Sequence, residues 1–329
     1  MQEQDNLLAD AIEQLLADRC TPAAVRAIEA GGPADALWQS LEDSGFCDAL
    51  VPEDRGGAGL GLREAFPLLE ACGRHVLPLP LAQTLLARGL LAQAGADCPA
   101  GPVALASAPE GGGALDVVMG AVARWLLVGD GRTLRLYDLA QAVREPLGDG
   151  SLDARVQRPA AALLTLDAGG VDLRAQHALL LAVQMAGSMR RVFSMTLQFA
   201  NERAQFGRSI GKFQAIQHQL SVMAEHTEAA RMAARLACAT RALTAEPMAC
   251  AVAKAGTSGA VVPVCSIAHA VHGAIGITQE YDLQLHTRRL QAWRVAEGSE
   301  SAWNERVGRA LLAQPDLSLP EFVRTELSL

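Results

Sequence analysis

Aromatic side chains are scarce in this 329-residue chain, at 4% of the total, and Ala and Leu dominate. That balance argues for helices and against a β-sandwich, whose strands draw on aromatic and β-branched residues. Paired cysteine motifs are also missing. Cys20, Cys47, Cys72, Cys98, Cys238, Cys250 and Cys265 are odd in number, scattered, and never spaced as CxxC. The pattern argues against a disulfide frame and against a zinc site, so no metal is expected and a reducing compartment is. No basic block occurs, and 28 basic against 36 acidic residues give a net charge of -8. Nucleic acid is therefore not an expected partner. The opening MQEQDNLLADAIEQ is polar and acidic where a secretory signal needs a basic and then an apolar run. No uninterrupted apolar segment reads as long enough to span a bilayer. A cytoplasmic location with no membrane span is the expectation.

What remains is an ordinary globular composition, 50% hydrophobic and 19% charged, with length for two or three domains. Three segments differ in character. Residues 1–100 read as an N-terminal helical domain: Leu7, Leu8, Ile12, Leu15 and Leu16 recur at helical steps, and further helices span Ala34 to Gly45, Arg63 to Arg74, and a stretch ending near Gly95. Within it, the run from Pro52 to Gly59 is a loop rich in Pro and Gly. Residues 101–170 read as a small antiparallel β domain, with short apolar runs at Val103 to Ala106, Ala123 to Gly129 and Ala160 to Leu166, and a hairpin turn at Asp130 to Thr133. Residues 171–329 return to long helices. Met185, Met189, Val192, Thr196, Phe199 and Arg203 form one stripe, and Phe213, Ile216, Leu220, Met223, Thr227, Ala230 and Ala234 a second. Two more helices follow, roughly Met248 to Val271 and Glu280 to Ala292. Together they predict a four-helix bundle, with a polar tail after Gln314 on the surface.

Three short stretches carry candidate chemistry. The joint between the first two long helices reads NERAQFGRSIGKFQ, residues 201–214. Its Arg203 offers forked donors to phosphate oxygens and a flat face for stacking, although alone it reads better as a helix cap, with Phe206 a core residue. The turn Gly273-Ala274-Ile275-Gly276 lets backbone come close to something flat or phosphorylated. One helix later, Ala296-Glu297-Gly298-Ser299 sets a carboxylate beside a permissive residue and a hydroxyl. By itself Glu297 could be a solvated loop acid.

In this order, the three stretches resemble acyl-CoA dehydrogenases. Residues 203–214 resemble the family's Arg-x-x-Phe-Gly-x-x-Ile-x-x-Phe-Gln signature at every fixed position. Residues 270–276 resemble its Gln-x-x-Gly-Gly-x-Gly turn, with Ala270 and Ala274 in place of Gln and Gly. Residues 296–299 resemble its Tyr-Glu-Gly-Thr loop, and residues 52–59 its Pro-Glu-x-x-Gly-Gly-x-Gly loop. The resemblance implies a mainly α fold, with an N-terminal helical domain, a small middle β domain and a C-terminal four-helix bundle that pairs with another subunit. It implies FAD-dependent α,β-dehydrogenation of an acyl-CoA thioester, with electrons passed to an electron-transfer flavoprotein. Glu297 would be the base, and its backbone N–H would help hold the developing enolate oxygen. Arg203, Phe206, Gly273, Gly276, Gly298 and Ser299 would bind the cofactor, Arg203 and Phe206 from across a subunit interface.

His177 stands where some members place their base. The β segment is abbreviated, and of the usual Thr-Glu-Pro-x-x-Gly-Ser strand end only Ser107-Ala108-Pro109-Glu110-Gly111 can be found. The resemblance thus admits two readings: a working dehydrogenase, in a homo- or hetero-oligomer, or a non-catalytic subunit that completes a site on a longer partner. Other candidates have plainer explanations. His269 and His272 lack a third metal ligand, Arg288 and Arg289 suit an exposed basic helix face, and Lys254 with Gly256-Thr257-Ser258-Gly259 mimics a phosphate loop inside a helical run.

Overall fold

The computed structural model describes residues 2–108, 113–148 and 151–326. The chain packs as two compact units, one of Met1–Leu68, Leu77–Leu180 and Thr240–Pro247, the other of Leu69–Val76, Leu181–Ala239 and Met248–Leu329.

In the first unit, α1 (Gln2–Arg19) buries Ile12 and Leu16 completely, whereas Leu7 is exposed, so the apolar stripe starts later than expected. The unexpected α2 (Pro22–Glu29) starts on a Thr-Pro signal. Thr21 Oγ1 accepts from the Ala24 N–H at 3.3 Å, and Pro22 occupies a position whose N–H no helix bond needs. Helices α3 (Asp35–Asp43), α4 (Leu62–Arg74) and α5 (Leu81–Gln93) lie close to expectation. The glycine loop between α3 and α4 is more than a connector: a Cβ on Gly61 would lie 2.3 Å from the Arg241 carbonyl oxygen. The Leu62 and Arg63 N–H groups bond to Ala242 and Thr240 carbonyls, tying the loop to residues 240–247. Arg88, on the buried α5, donates to Glu42 at 2.5 Å and Asp48 at 2.9 Å.

The strands of this unit form two sheets. The first has the order β1 (Val103–Ser107), β3 (Trp125–Gly129), β4 (Thr133–Asp138), β7 (Leu164–Asp167); the second has β2 (Ala114–Val117), β6 (Ala154–Gln157), β5 (Arg144–Pro146). The antiparallel expectation fails at one pair, because β1 and β3 run parallel, Val103 opposite Trp125. After β1 the chain crosses to the second sheet through β2 and returns, and such a crossover is what a parallel pair requires. The Asp130 turn forms as expected. Its carboxylate accepts from the Arg132 and Thr133 N–H groups at 2.8 and 2.7 Å, and β3 and β4 pair antiparallel. Val117, Ala154 and Val156 of one sheet share a buried cluster with Ala104, Leu126 and Val128 of the other. Pro109, Glu110 and Gly111 lie outside the described residues.

The second unit is helical: most of α6 (Leu173–Glu202), then α7 (Gln214–Ala237), α8 (Pro247–His272), α9 (Leu283–Val295), α10 (Glu300–Leu312) and α11 (Leu319–Glu326). The two expected stripes face inward: Met185, Met189, Val192 and Thr196 on α6 and Met223, Thr227 and Ala234 on α7 are all fully buried. One expectation holds in outline and one is corrected. The tail after Gln314 is mostly exposed, as expected, but forms α11 and buries Phe322. And α8 with the turn after it, Pro247–Ile277, is long and apolar enough by composition to cross a membrane. Its small and branched side chains, among them Cys250, Ala253, Val261 and Val264, are buried in the unit, which is the composition a central core helix needs.

Candidate active site

The joint after α6 is an arm. Residues β8 (Ala204–Gln205) and β9 (Arg208–Ser209) pair as a two-stranded hairpin with Phe206 and Gly207 at the tip. Both tip residues have positive φ, 51° and 78°, as a two-residue turn matched to strand twist requires. Gly207 adopts this readily, whereas Phe206 does so at a cost of about 1 kcal/mol. The Phe206 ring is 92% exposed and touches Phe213 edge-on at 6.2 Å, so it fills no core. Arg203 is exposed at the base of the arm, where its carbonyl accepts from the Ile210 N–H at 2.8 Å.

The glycine turn is a 3-10 segment, Gly273–Ile277. Gly273 has φ 64°, and a Cβ on Gly276 would lie 2.9 Å from that of His272. His272 forms a cluster of three rings with Phe199 at 4.5 Å and Tyr281 at 5.0 Å, which meet each other edge-on at 6.2 Å. Its Nδ1 donates to the Ala268 carbonyl at 2.7 Å, and burial lowers its pKa against the help of that hydrogen bond. The ring is therefore neutral near pH 7 with its proton on Nδ1. Nε2 then holds a lone pair, is buried, and has no partner among the described residues, so it suits a hydroxyl or amino donor. Val271 shares a buried cluster with Ala200 and Ile210, and half-buried Phe213 packs against it. This puts the arm and the glycine turn at the same end of the unit.

The loop of Glu297 lies elsewhere. Four residues, 296–299, join α9 to α10. Glu297 is half-buried with φ 55°, and Gly298 has φ 110°. The Gly298 N–H donates to the Val295 carbonyl at 3.1 Å, and Ser299 occupies the N-cap position of α10 without a capping bond from its side chain. Above the loop, Arg294 Nε donates to Glu300 Oε2 at 3.1 Å. Beneath it lies Lys254, which reads in sequence as a false phosphate loop. It is completely buried on α8, and its ammonium donates to Ser258 Oγ and to the carbonyls of Trp293, Arg294 and Gly298 at 2.9, 2.9, 2.9 and 3.2 Å. Burial draws its pKa down to about 7, against the pull of the Glu297 and Glu300 carboxylates. Lys254 and His272 are 18 residues apart on one helix, roughly 27 Å. Arg203, Phe206, Gly273 and Gly276 thus gather at one end, and Glu297, Gly298 and Ser299 at the other.

The remaining candidates have other surroundings. Arg288 is exposed, but Arg289 is buried with its guanidinium 5.6 Å from the Trp293 ring centre, so the pair is not a basic surface face. His269 Nε2 meets Thr287 Oγ1 at 3.1 Å; among the described residues no three His, Cys, Asp or Glu side chains converge on a metal position. His177 is fully buried in α6. In the first unit, a cleft of about 560 Å³ opens at the end of β1, lined by Ser107, Ala108, Gly129, Asp130 and the start of α6. The Trp125 indole N–H is bonded to the Ala100 carbonyl at 2.8 Å.

Known proteins give this arrangement a family. The model for "Acyl-CoA dehydrogenase, N-terminal domain" matches residues 2–97, and that for "Acyl-CoA dehydrogenase, C-terminal domain" matches residues 175–312. The acyl-CoA dehydrogenase IpdE2 of Mycolicibacterium smegmatis is 32% identical over 299 residues, 88% of this chain and 93% of that one. The acyl-CoA dehydrogenase FadE34 of Mycobacterium tuberculosis is also 32% identical, over 87% of this chain but only 44% of its own length. Among solved structures, the Tcur3481-Tcur3483 steroid ACAD superposes with a TM-score of 0.81 at 25% identity, covering 96% of this chain and 99% of that one. The ChsE4-ChsE5 complex of Mycobacterium tuberculosis superposes at 0.80 with 22% identity, covering 95% and 98%. The mainly α fold, with strands between two helical regions, is thereby accounted for, and the chain belongs to the acyl-CoA dehydrogenase family.

Proposed function

We propose that the chain catalyses α,β-dehydrogenation of an acyl-CoA thioester with Glu297 as the base that removes the α-proton. The observation that carries this is the conformation of the 296–299 loop, where positive φ at Glu297 and Gly298 fixes a half-buried carboxylate between two helices. A left-handed glutamate is uncommon, and a loop acid with no task has no need of it.

The residues at the other end suit FAD. Exposed Arg203 can pair with its diphosphate and exposed Phe206 can stack on its adenine; Gly273 and Gly276 allow close backbone approach, and His272 Nε2 accepts from a ribose hydroxyl or the adenine amino group. Gly298 and Ser299 would meet the flavin end. When bound, FAD supplies the hydride acceptor. Because the arm and Glu297 lie at opposite ends of the second unit, the arm of one protomer serves a cofactor whose reactive end belongs to another protomer, and the working form is an oligomer. An electron-transfer flavoprotein is the expected electron acceptor.

A second reading keeps the chemistry and changes the assembly: the chain is one half of a heteromer. Two observations favour it. A relative of similar sequence, FadE34, is more than twice the length matched here, and the solved ChsE4-ChsE5 relative is a complex of two components. Steroid-derived acyl-CoA thioesters are the first substrates to try, since one solved relative is a steroid ACAD.

The test is the visible spectrum of the protein purified alone, followed by anaerobic addition of acyl-CoA thioesters. Bound flavin that bleaches with wild type and not with Glu297→Gln is the expected result. Equal bleaching by both would remove Glu297 from the base role, and a colourless folded protein would move the assembly to the heteromer.

A further inference from the structure

The buried Lys254 ammonium accounts for the shape of the candidate base loop. Its side chain has no exposure, yet Nζ donates to four oxygens, three of them main-chain carbonyls 39 to 44 residues away. Trp293 and Arg294 lie in the last turn of α9, where carbonyls lack helical partners and a cation is favoured. Gly298 is the residue after Glu297. A single charge therefore joins the end of α9 to the far side of the loop, and Ser258 Oγ adds a bond to the Arg294 carbonyl at 3.2 Å. An ammonium is strongly hydrated, and burying it is unfavourable unless every proton finds an acceptor. A Leu or Met here would be the easier core residue.

We propose that Lys254 is a positioning residue: by holding the carbonyls of Trp293, Arg294 and Gly298 on one buried cation, it fixes the left-handed turn that presents Glu297. The proposal rests on the reading of Glu297 as the base, and it concerns geometry rather than contact with substrate. The charged groups facing the ammonium are Glu297 and Glu300, which favour its protonated form, and Arg294, which opposes it.

The experiment compares full-length wild type, Lys254→Met, Ser258→Ala and Glu297→Gln. Amide hydrogen exchange is read first, because it needs neither substrate nor flavin. Lys254→Met is expected to speed exchange across residues 295–299 about tenfold or more, while α6 and α7 keep their protection. Ser258→Ala, a milder change that removes one partner of the ammonium, is expected to give the same local pattern at about threefold and decides the matter if Lys254→Met does not fold. Flavin bleaching by the best acyl-CoA for wild type is read second. Lys254→Met should lower its rate constant at least tenfold, with the half-saturating concentration within about twofold. Unchanged exchange at 295–299, or exchange that rises throughout the second unit, overturns the proposal. Full bleaching by Glu297→Gln defeats the base reading instead, and the exchange result still decides what Lys254 holds in place.

Discussion

Arg294 Nε donates to Glu300 Oε2 at 3.1 Å, and the pair spans the four-residue loop that carries Glu297. Both side chains are about a quarter exposed, so the bridge contributes about 1 kcal/mol or less to overall stability. Its effect should be local. Glu300→Gln is expected to leave the thermal midpoint nearly unchanged and to slow flavin reduction several-fold. A large drop in midpoint with no kinetic change would mean the pair serves the fold and not the loop.

Phe206 is exposed on a strained hairpin tip, so removing its ring should not disturb its own subunit. Phe206→Ala is expected to keep stability within about 0.5 kcal/mol. Flavin retained after desalting, read from the 450 to 280 nm absorbance ratio, should fall markedly. Equal retention would show that the arm does not reach a cofactor.

Arg88 is 6% exposed and neutralises Glu42 from within the first unit. Arg88→Met leaves that carboxylate without its cation in a part-buried place, a change that costs about 3 kcal/mol. Urea denaturation should show the loss as a lower midpoint with the slope unchanged. A midpoint equal to that of wild type would mean that Glu42 finds water as readily as it finds Arg88.

Lys254 sets a pH dependence whose sign is unusual for a lysine with partners. Its proton leaves near pH 7 in the folded chain and near 10.4 in the unfolded one. Between those values the unfolded chain binds more protons, so this group makes stability rise with pH. Lys254→Met should flatten the rise, which a series of urea titrations from pH 6.5 to 10 would detect. A parallel pair of curves would show the ammonium to be retained in the fold.

Much of this was legible from periodicity. The stripes from Met185 to Thr196 and from Met223 to Ala234 lie buried where their spacing places them, and the arm, the glycine turn and the Glu297 loop all fall between helices. What was not legible depends on partners distant in sequence. The parallel pairing of β1 with β3 leaves no mark on either strand's composition, and β2, β5 and β6 are too short and too polar to stand out. Lys254 reads only as a false phosphate loop in an Ala-rich helical run because its acceptors, on Trp293, Arg294 and Gly298, become neighbours only when α9 packs against α8. The Thr-Pro start at residues 21 and 22 marks α2, a short helix that the apolar spacing did not reveal.

Removal of the α-proton by Glu297 can be measured apart from hydride transfer. Flavin-loaded wild type and Glu297→Gln would each be incubated with an acyl-CoA in deuterium oxide, and mass spectrometry would follow deuterium entering at the α-carbon. The account predicts exchange by wild type and a rate lower by about 10²- to 10⁴-fold in Glu297→Gln, the range for loss of a general base. Equal exchange by the two proteins would contradict it and place the base on another residue or another subunit.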